Sequence, residues 1–392
     1  MQRREFLRLS TAAAVAALSG CAGPPTPTPP TPTGQVQAAA PAQLLLRNSR
    51  PLCLETPVEL LLNAAFNTEN QAFFVRSHHP EPTVDPATWK LRVEGLVETP
   101  LELNLEQLQK DFEWTEVTAV LQCSGNGRAF YRPRLAGIQW ERGAVGNAMW
   151  MGARMAQVLQ KAGLKKGARF VVLRGLDRPM LPQTPPFVRA IPLEKAQDPD
   201  TLLAWLMNGE ELPHLHGYPL RAVVPGWVGD DWVKWLASLT VTDQEPDDYF
   251  YKTAYRYPVS RVEPGATVAP EKMGAMTEMV VKSLITSDVR PRRTPSGHVV
   301  VSGVAWTGGR ASIRRVEVSL DGGPWQGTSL SDTPRPYAWT RFVWHWKPDP
   351  GRYEIRSRAT DSEGNTQPEG PSPWNPSGYQ WNSVDRVSLE VT

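Results

Sequence analysis

The chain has 392 residues, and its 42 Lys and Arg nearly match its 40 Asp and Glu, leaving a formal net charge of +2 at pH 7. That balance, without a long basic run, argues against nucleic acid as the main partner. Three cysteines offer no disulfide framework, and no segment beyond the leader is long and apolar enough to span a bilayer.

The first elements read as an address rather than a fold. Gln2-Arg3-Arg4-Glu5-Phe6-Leu7-Arg8 sets paired arginines before Phe-Leu, and a short Ala/Val/Leu run follows from Thr11 to Leu18. The run falls well short of the ~20 residues that cross a bilayer, so it reads as a signal h-region, and the arginines read as a twin-arginine export signal. An ordinary secretory signal with two incidental arginines is the alternative. Leu18-Ser19-Gly20-Cys21 resembles a bacterial lipobox, with Cys21 the lipidated first residue after cleavage. Acyl chains contribute about 0.8 kcal/mol per buried CH₂, so several can hold a soluble body at a membrane surface. Pro24 to Pro32 is then an extended, semi-rigid tether. The expected division is signal over 1–21, tether over 22–43, and a body of about 350 residues, enough for two cores.

From 44 to 265 the pattern is mixed. Trp89 to Leu96 alternates and predicts a strand, Asn104 caps a short helix from Leu105, and Val117 to Val120 predicts a strand leading into a loop at Cys123. Met155 to Ala162 has helical spacing, stopped by Gly163. Ala168 to Leu173 predicts a strand. Pro192 to Ala196 and Leu202 to Met207 predict helices around a loop, and Leu220 to Val224 predicts a buried strand. Helices and strands without regular alternation indicate an α+β domain. From 266 to 392 short alternating segments follow one another: Val299 to Trp306, Val316 to Leu320 before the hairpin signal Asp321-Gly322-Gly323, Thr340 to Trp346, and Tyr353 to Ala359. These imply an immunoglobulin-like β-sandwich.

The chemistry concentrates at Leu121-Gln122-Cys123-Ser124-Gly125-Asn126-Gly127-Arg128. Gly125 and Gly127 allow a sharp turn and close approach of a bulky ligand. Arg128 favours thiolate over thiol at Cys123, and thiolate binds soft metals. Read locally, Cys123 is equally a small buried hydrophobe before a turn. Cys53 reads as a packing residue; a Cys53–Cys123 disulfide is the competing possibility and excludes a metal. A copper or zinc site is disfavoured because no spaced His/Cys set accompanies Cys123.

This segment closely resembles the molybdenum-ligating segment of the sulfite oxidase family, and further segments match in the same order over nearly all of the body. The resemblance implies that Cys123 binds molybdenum beside the dithiolene of a molybdopterin. It implies that Arg76, in Phe74-Val75-Arg76-Ser77-His78, faces substrate and touches the cofactor, and that His78 hydrogen-bonds the pterin. Asp177, in Gly175-Leu176-Asp177, falls at a pterin contact. His216 and Arg221, in His216-Gly217-Tyr218-Pro219-Leu220-Arg221, fall at the cofactor's phosphate end, with Lys234 at another cofactor contact. Arg128 and Trp140 match the substrate pocket, and Tyr255 matches an active-site tyrosine that assists proton movement. Four positions depart from the family: Asp231 where a basic residue often stands, Ala254 for an aspartate, Ala136 for a lysine, and Ser377 for a second-domain arginine of the vertebrate enzymes. The anion pocket is therefore less positive, unless Arg132 or Arg134 compensates.

The resemblance implies a sulfite oxidase fold followed by the sandwich, a homodimer through that sandwich, and oxidation of sulfite to sulfate by oxygen-atom transfer. No Cys-x-x-Cys-His is encoded, so no covalent c-type haem is expected here and electrons leave to an external acceptor such as a c-type cytochrome. The alternatives are a periplasmic molybdoenzyme that reduces an S-oxide or nitrate, and a lipid-anchored binding protein with an immunoglobulin-like module.

Overall fold

The computed structural model describes residues 43–61, 66–288, 290–291 and 293–392. The paired arginines, Cys21 and the proline tether lie outside them. No helix among the described residues is long and apolar enough to cross a membrane.

Two five-stranded sheets build the first part of the body. One runs in the order Glu210–Glu211, Leu202–Met207, Val145–Arg154, Trp114–Gln122, with Arg221–Val223 also paired to Leu202–Met207. The other runs Leu101–Leu103, Leu91–Gly95, Leu236–Thr242, Phe170–Gly175, Val188–Pro192, and its Leu236–Thr242 strand lies parallel to Leu91–Gly95. Leu202–Met207 is thus a strand, not the predicted helix. A six-residue apolar run has no period that separates the two, and here five of its six residues are buried while it pairs with strands on both sides. The other helices form as read. Leu105–Asp111 opens on a capping box in which Asn104 accepts from the Gln107 N–H while the Gln107 side chain accepts from the Asn104 N–H. Met155–Ala162 buries Met155, Val158, Leu159 and Ala162 on one face and stops at Gly163, whose φ of +71° suits glycine.

The second part is a sandwich of two four-stranded antiparallel sheets. One is Lys282–Ile285, Val299–Trp306, Thr340–Trp346, Ser329–Leu330; the other is Gln326–Gly327, Ile313–Leu320, Gly351–Asp361, Asp385–Val391. The hairpin after Leu320 turns with Asp321 at φ +48° and Gly322 at φ +73°, the sign at both central residues that matches right-handed strand twist. Val299, Val301, Val316, Val318, Phe342 and Ile355 form its interior. A short ribbon, Arg256–Pro258 against Met273–Ala275, links the two parts. A third apolar cluster joins Val120, Val145, Val228 and Tyr255 to Leu284, Val304, Trp306, Trp339 and Tyr379, so the seam between the parts is itself a core. This cluster backs the strand that ends at Cys123.

Candidate active site

The strand Trp114–Gln122 is buried along its last four residues and delivers Cys123 to a cavity. Arg76, Ser77, His78, Asp177, His216, Arg221, Lys234 and Tyr255 line the same cavity, together with Phe74, Phe187, Trp232 and Trp235. Residues far apart in the chain therefore converge on one space. Cys53 and Cys123 are both free thiols, which removes the disulfide alternative.

One group of side chains is cationic and sheltered. Arg221 is buried, donates to the carbonyls of His216 at 2.9 Å and Trp232 at 3.0 Å, and lies 4.8 Å from the Trp150 ring centroid. Lys234 donates to Ser77 Oγ at 3.1 Å and the Leu215 carbonyl at 2.9 Å, and lies 4.2 Å from the Trp235 ring centroid. Among the described residues neither forms a salt bridge with a carboxylate. Burial pushes Arg221 down to about 9. Burial, then Arg221, pushes Lys234 down to about 7. His216, whose Nε2 meets the Asn70 carbonyl at 3.1 Å, is driven to about 3 by burial and these cations, so it stays neutral. Asp177 beside them is raised to about 6 by burial, with Lys234 opposing the shift. Cations stripped of water and hydrogen-bonded only to neutral carbonyl and hydroxyl oxygens are costly until an anion arrives.

The second group surrounds the sulfur. The Cys123 N–H donates to the Ala144 carbonyl at 3.0 Å. Burial raises the thiol, and Arg76 and Arg128 only oppose that rise. Arg128 does favour the thiolate, as its charge predicts, but desolvation outweighs it until something electropositive binds the sulfur. Arg76 is partly buried, gives Nη1 to the Ser77 carbonyl and lies 3.8 Å from Cys53 Sγ. His78 stacks on Phe187 at 3.8 Å and its Nε2 meets the Tyr255 hydroxyl. Burial lowers His78 and raises Tyr255, so the proton stays on the phenol oxygen. Tyr255 itself sits at φ +53°, a strained backbone position for a residue other than glycine, and stacks on Tyr379 at 5.4 Å.

Two expected substrate-facing residues are elsewhere. Arg128 does not line the cavity; its guanidinium donates to the carbonyls of Ile138 and Ser377, each at 3.1 Å. Trp140 is fully buried behind Phe74, edge-on at 6.3 Å, and also falls outside the lining. Arg132 and Arg134 do not line it either, and their hydrogen bonds go to neighbouring loop groups.

The structure adds a set that sequence reading missed. Asp230 lines the cavity, accepts from the Ser124 hydroxyl, and lies 3.0 Å from Arg189, which also binds Asp231 at 2.9 Å. All three are buried. Asp231 is raised to about 7 by burial against the pull of Arg189. The one signal was the Gly229-Asp230-Asp231 departure, whose arginine partner lies 42 residues away in sequence from Asp231.

This donor set fits a group that presents a soft electropositive centre to Cys123 and an anionic tail to Arg221 and Lys234. Comparison with known proteins agrees. Residues 78–250 match the oxidoreductase molybdopterin binding domain, and 273–392 match the Mo-co oxidoreductase dimerisation domain. Sulfite oxidase of Gallus gallus is 38% identical over 85% of this chain and 74% of its own length. Mitochondrial sulfite oxidase of Rattus norvegicus is 36% identical over 89% of this chain, which spans 66% of that protein's length. Among solved structures, the sulfane dehydrogenase SoxCD from Paracoccus pantotrophus superposes with a TM-score of 0.74 at 30% identity, over 90% of this chain and 86% of that one. With matching models across both parts and this identity over most of its length, the chain belongs to the sulfite oxidase family of molybdopterin oxidoreductases.

Proposed function

We propose that this protein oxidises sulfite, or a close sulfur oxyanion, to its oxygen-enriched product and passes the electrons to an external acceptor such as a c-type cytochrome. The observation that carries this reading is the single cavity shared by the Cys123 thiol, Arg76 and the unpaired cations Arg221 and Lys234. In it Cys123 would hold the molybdenum of a molybdopterin, with His78, Asp177, His216, Arg221 and Lys234 holding the pterin and its phosphate. When bound, that group supplies the oxygen-transfer and redox chemistry, while the protein supplies orientation and charge.

The chain's own residues have three tasks. Arg76 offers the substrate oxyanion a planar cation that stays charged. Tyr255 holds a proton at its phenol oxygen and can turn it from His78 to a substrate oxygen. Phe74 and Phe187 exclude water from the same space. Arg76→Ala is expected to cost about 2–5 kcal/mol of transition-state binding, the scale for truncating one member of a buried charge pair; steady-state kcat/KM with sulfite measures it. Tyr255→Phe is expected to lower kcat by roughly 10²-fold or more, the scale of general acid catalysis, with metal content unchanged.

The decisive experiment is metal analysis followed by anaerobic sulfite addition. Molybdenum near one per chain and a paramagnetic signal on sulfite addition support the reading; full molybdenum with a response only to an S-oxide or nitrate favours the reductase alternative. The paired arginines and Cys21 support a place outside the cytoplasm on a lipid anchor. Mass spectrometry of the mature N-terminus tests it by finding, or failing to find, an acylated Cys21.

A further inference from the structure

The turn that carries Cys123 is held from outside its own domain. Trp306, on a sandwich strand, donates its indole N–H to Gln122 Oε1 at 2.8 Å, and both residues are buried. The Gln380 N–H donates to the Ser124 carbonyl at 3.1 Å. Lys282 Nζ donates to the Asn126 carbonyl at 3.5 Å. Arg128 Nε donates to the Ser377 carbonyl at 3.1 Å, and its guanidinium lies 5.1 Å from the Tyr379 ring centroid. At Gly127, with φ +95°, an added Cβ would meet the Trp381 side chain at 2.5 Å. Gln122, Ser124, Asn126 and Arg128 are thus each bonded to the second domain. The first domain holds the turn as well, through the Cys123 N–H to Ala144 bond, the Ser124 bond to Asp230, the Arg128 bond to the Ile138 carbonyl and the Ala129 N–H to Trp140 bond.

Among these bonds the one from Trp306 is distinctive. It reaches the residue directly before the thiol, it joins two side chains rather than main chain, and both partners are shielded from water. A buried donor–acceptor pair with no competing solvent has a narrow geometry, and outer groups of this kind orient a metal's ligands.

We propose that Trp306 is a positioning residue for the metal ligand: through the Gln122 side chain it fixes the direction in which the Cys123 thiol enters the cavity. The sandwich then shapes the metal site, in addition to any contact it makes between copies of the chain. The inference rests on Cys123 being the molybdenum ligand.

The test uses the molybdenum-loaded protein in four forms: wild type, Trp306→Phe, Gln122→Met, and the double variant. Molybdenum per chain, thermal unfolding, the thiolate-to-metal absorption band and the paramagnetic signal of the reduced metal are read for each. Each single variant strands one buried polar partner, whereas the double variant strands neither, so its thermal stability is expected to return towards wild type. The expected result is that all three variants keep their metal yet share a displaced absorption band and altered magnetic parameters. Turnover should fall roughly tenfold, the scale for losing an outer-shell partner. A stability-only role predicts instead that the double variant regains the wild-type spectrum, and that result, or unchanged spectra in the singles, overturns the proposal. A wild-type protein without molybdenum, or a band that survives Cys123→Ser, overturns the underlying metal assignment and the inference with it.

Discussion

Lys234 gives the site a measurable pH signature. Its ammonium is depressed from its ordinary 10.5 to about 7, with burial the largest cause. A depressed group contributes stability that is present above 10.5 and lost as pH falls through about 7, because the unfolded chain takes the proton first. A bound phosphate removes the penalty by favouring the charged form. Cofactor-free protein should therefore lose thermal stability between pH 10 and 7 relative to loaded protein, and Lys234→Met should narrow that gap; paired melting curves across pH measure both. Asp177, raised to about 6, acts in the opposite sense and at lower pH, losing its contribution as pH rises through 6. Lys282, likewise depressed to about 7, does not line the cavity, so it cancels from the difference between loaded and free protein. The family resemblance named Arg76, His78, Cys123, Asp177, His216, Arg221, Lys234 and Tyr255, and the fold brings all of them to one cavity. The resemblance did not tell which way Arg128 and Trp140 face, because that depends on a turn whose partners, Ile138 and Ser377, lie on other segments. The Arg189–Asp230–Asp231 set was illegible for the same reason: charge pairing across a fold leaves no local pattern.

At the scale of elements, close backbone approach decides more than propensity. Gly152 sits where the strands Val145–Arg154 and Leu202–Met207 touch, and an added Cβ would lie 1.9 Å from the Leu203 carbonyl oxygen. Gly152→Ala should destabilise by about 1–3 kcal/mol or more, the cost of overpacking against an immovable neighbour. Gly167→Ala, at φ +93° with nothing within 4 Å, should carry only the smaller backbone cost. Chemical denaturation of the two variants side by side checks the ranking. The same sheet shows where sequence reading failed. Met155–Ala162 announces itself through a one-sided apolar stripe and a terminal glycine, whereas Leu202–Met207 is apolar on both faces because it lies inside a sheet with buried surroundings. Its register even slips between Ala204 and Leu206. No local rule reports partners on both edges. The sandwich was easier, since its strands alternate and its turns carry Asp-Gly-Gly and Gly-Gly.

At the largest scale, the described body is two parts joined at one apolar seam. The matched dimerisation domain leads us to expect a homodimer, which sedimentation velocity over a range of concentrations will show as a dissociable or fixed species. The seam has a temporal consequence. The sulfur arrives at residue 123, yet the second-domain groups that bond its neighbours arrive at 282, 306, 377 and 380. A nascent polypeptide that has released only its first half thus carries the reactive atom without the vice that aims it. These bonds are complete only once residue 380 has been made, so loading of a group that needs the turn fixed is expected to follow synthesis rather than accompany it.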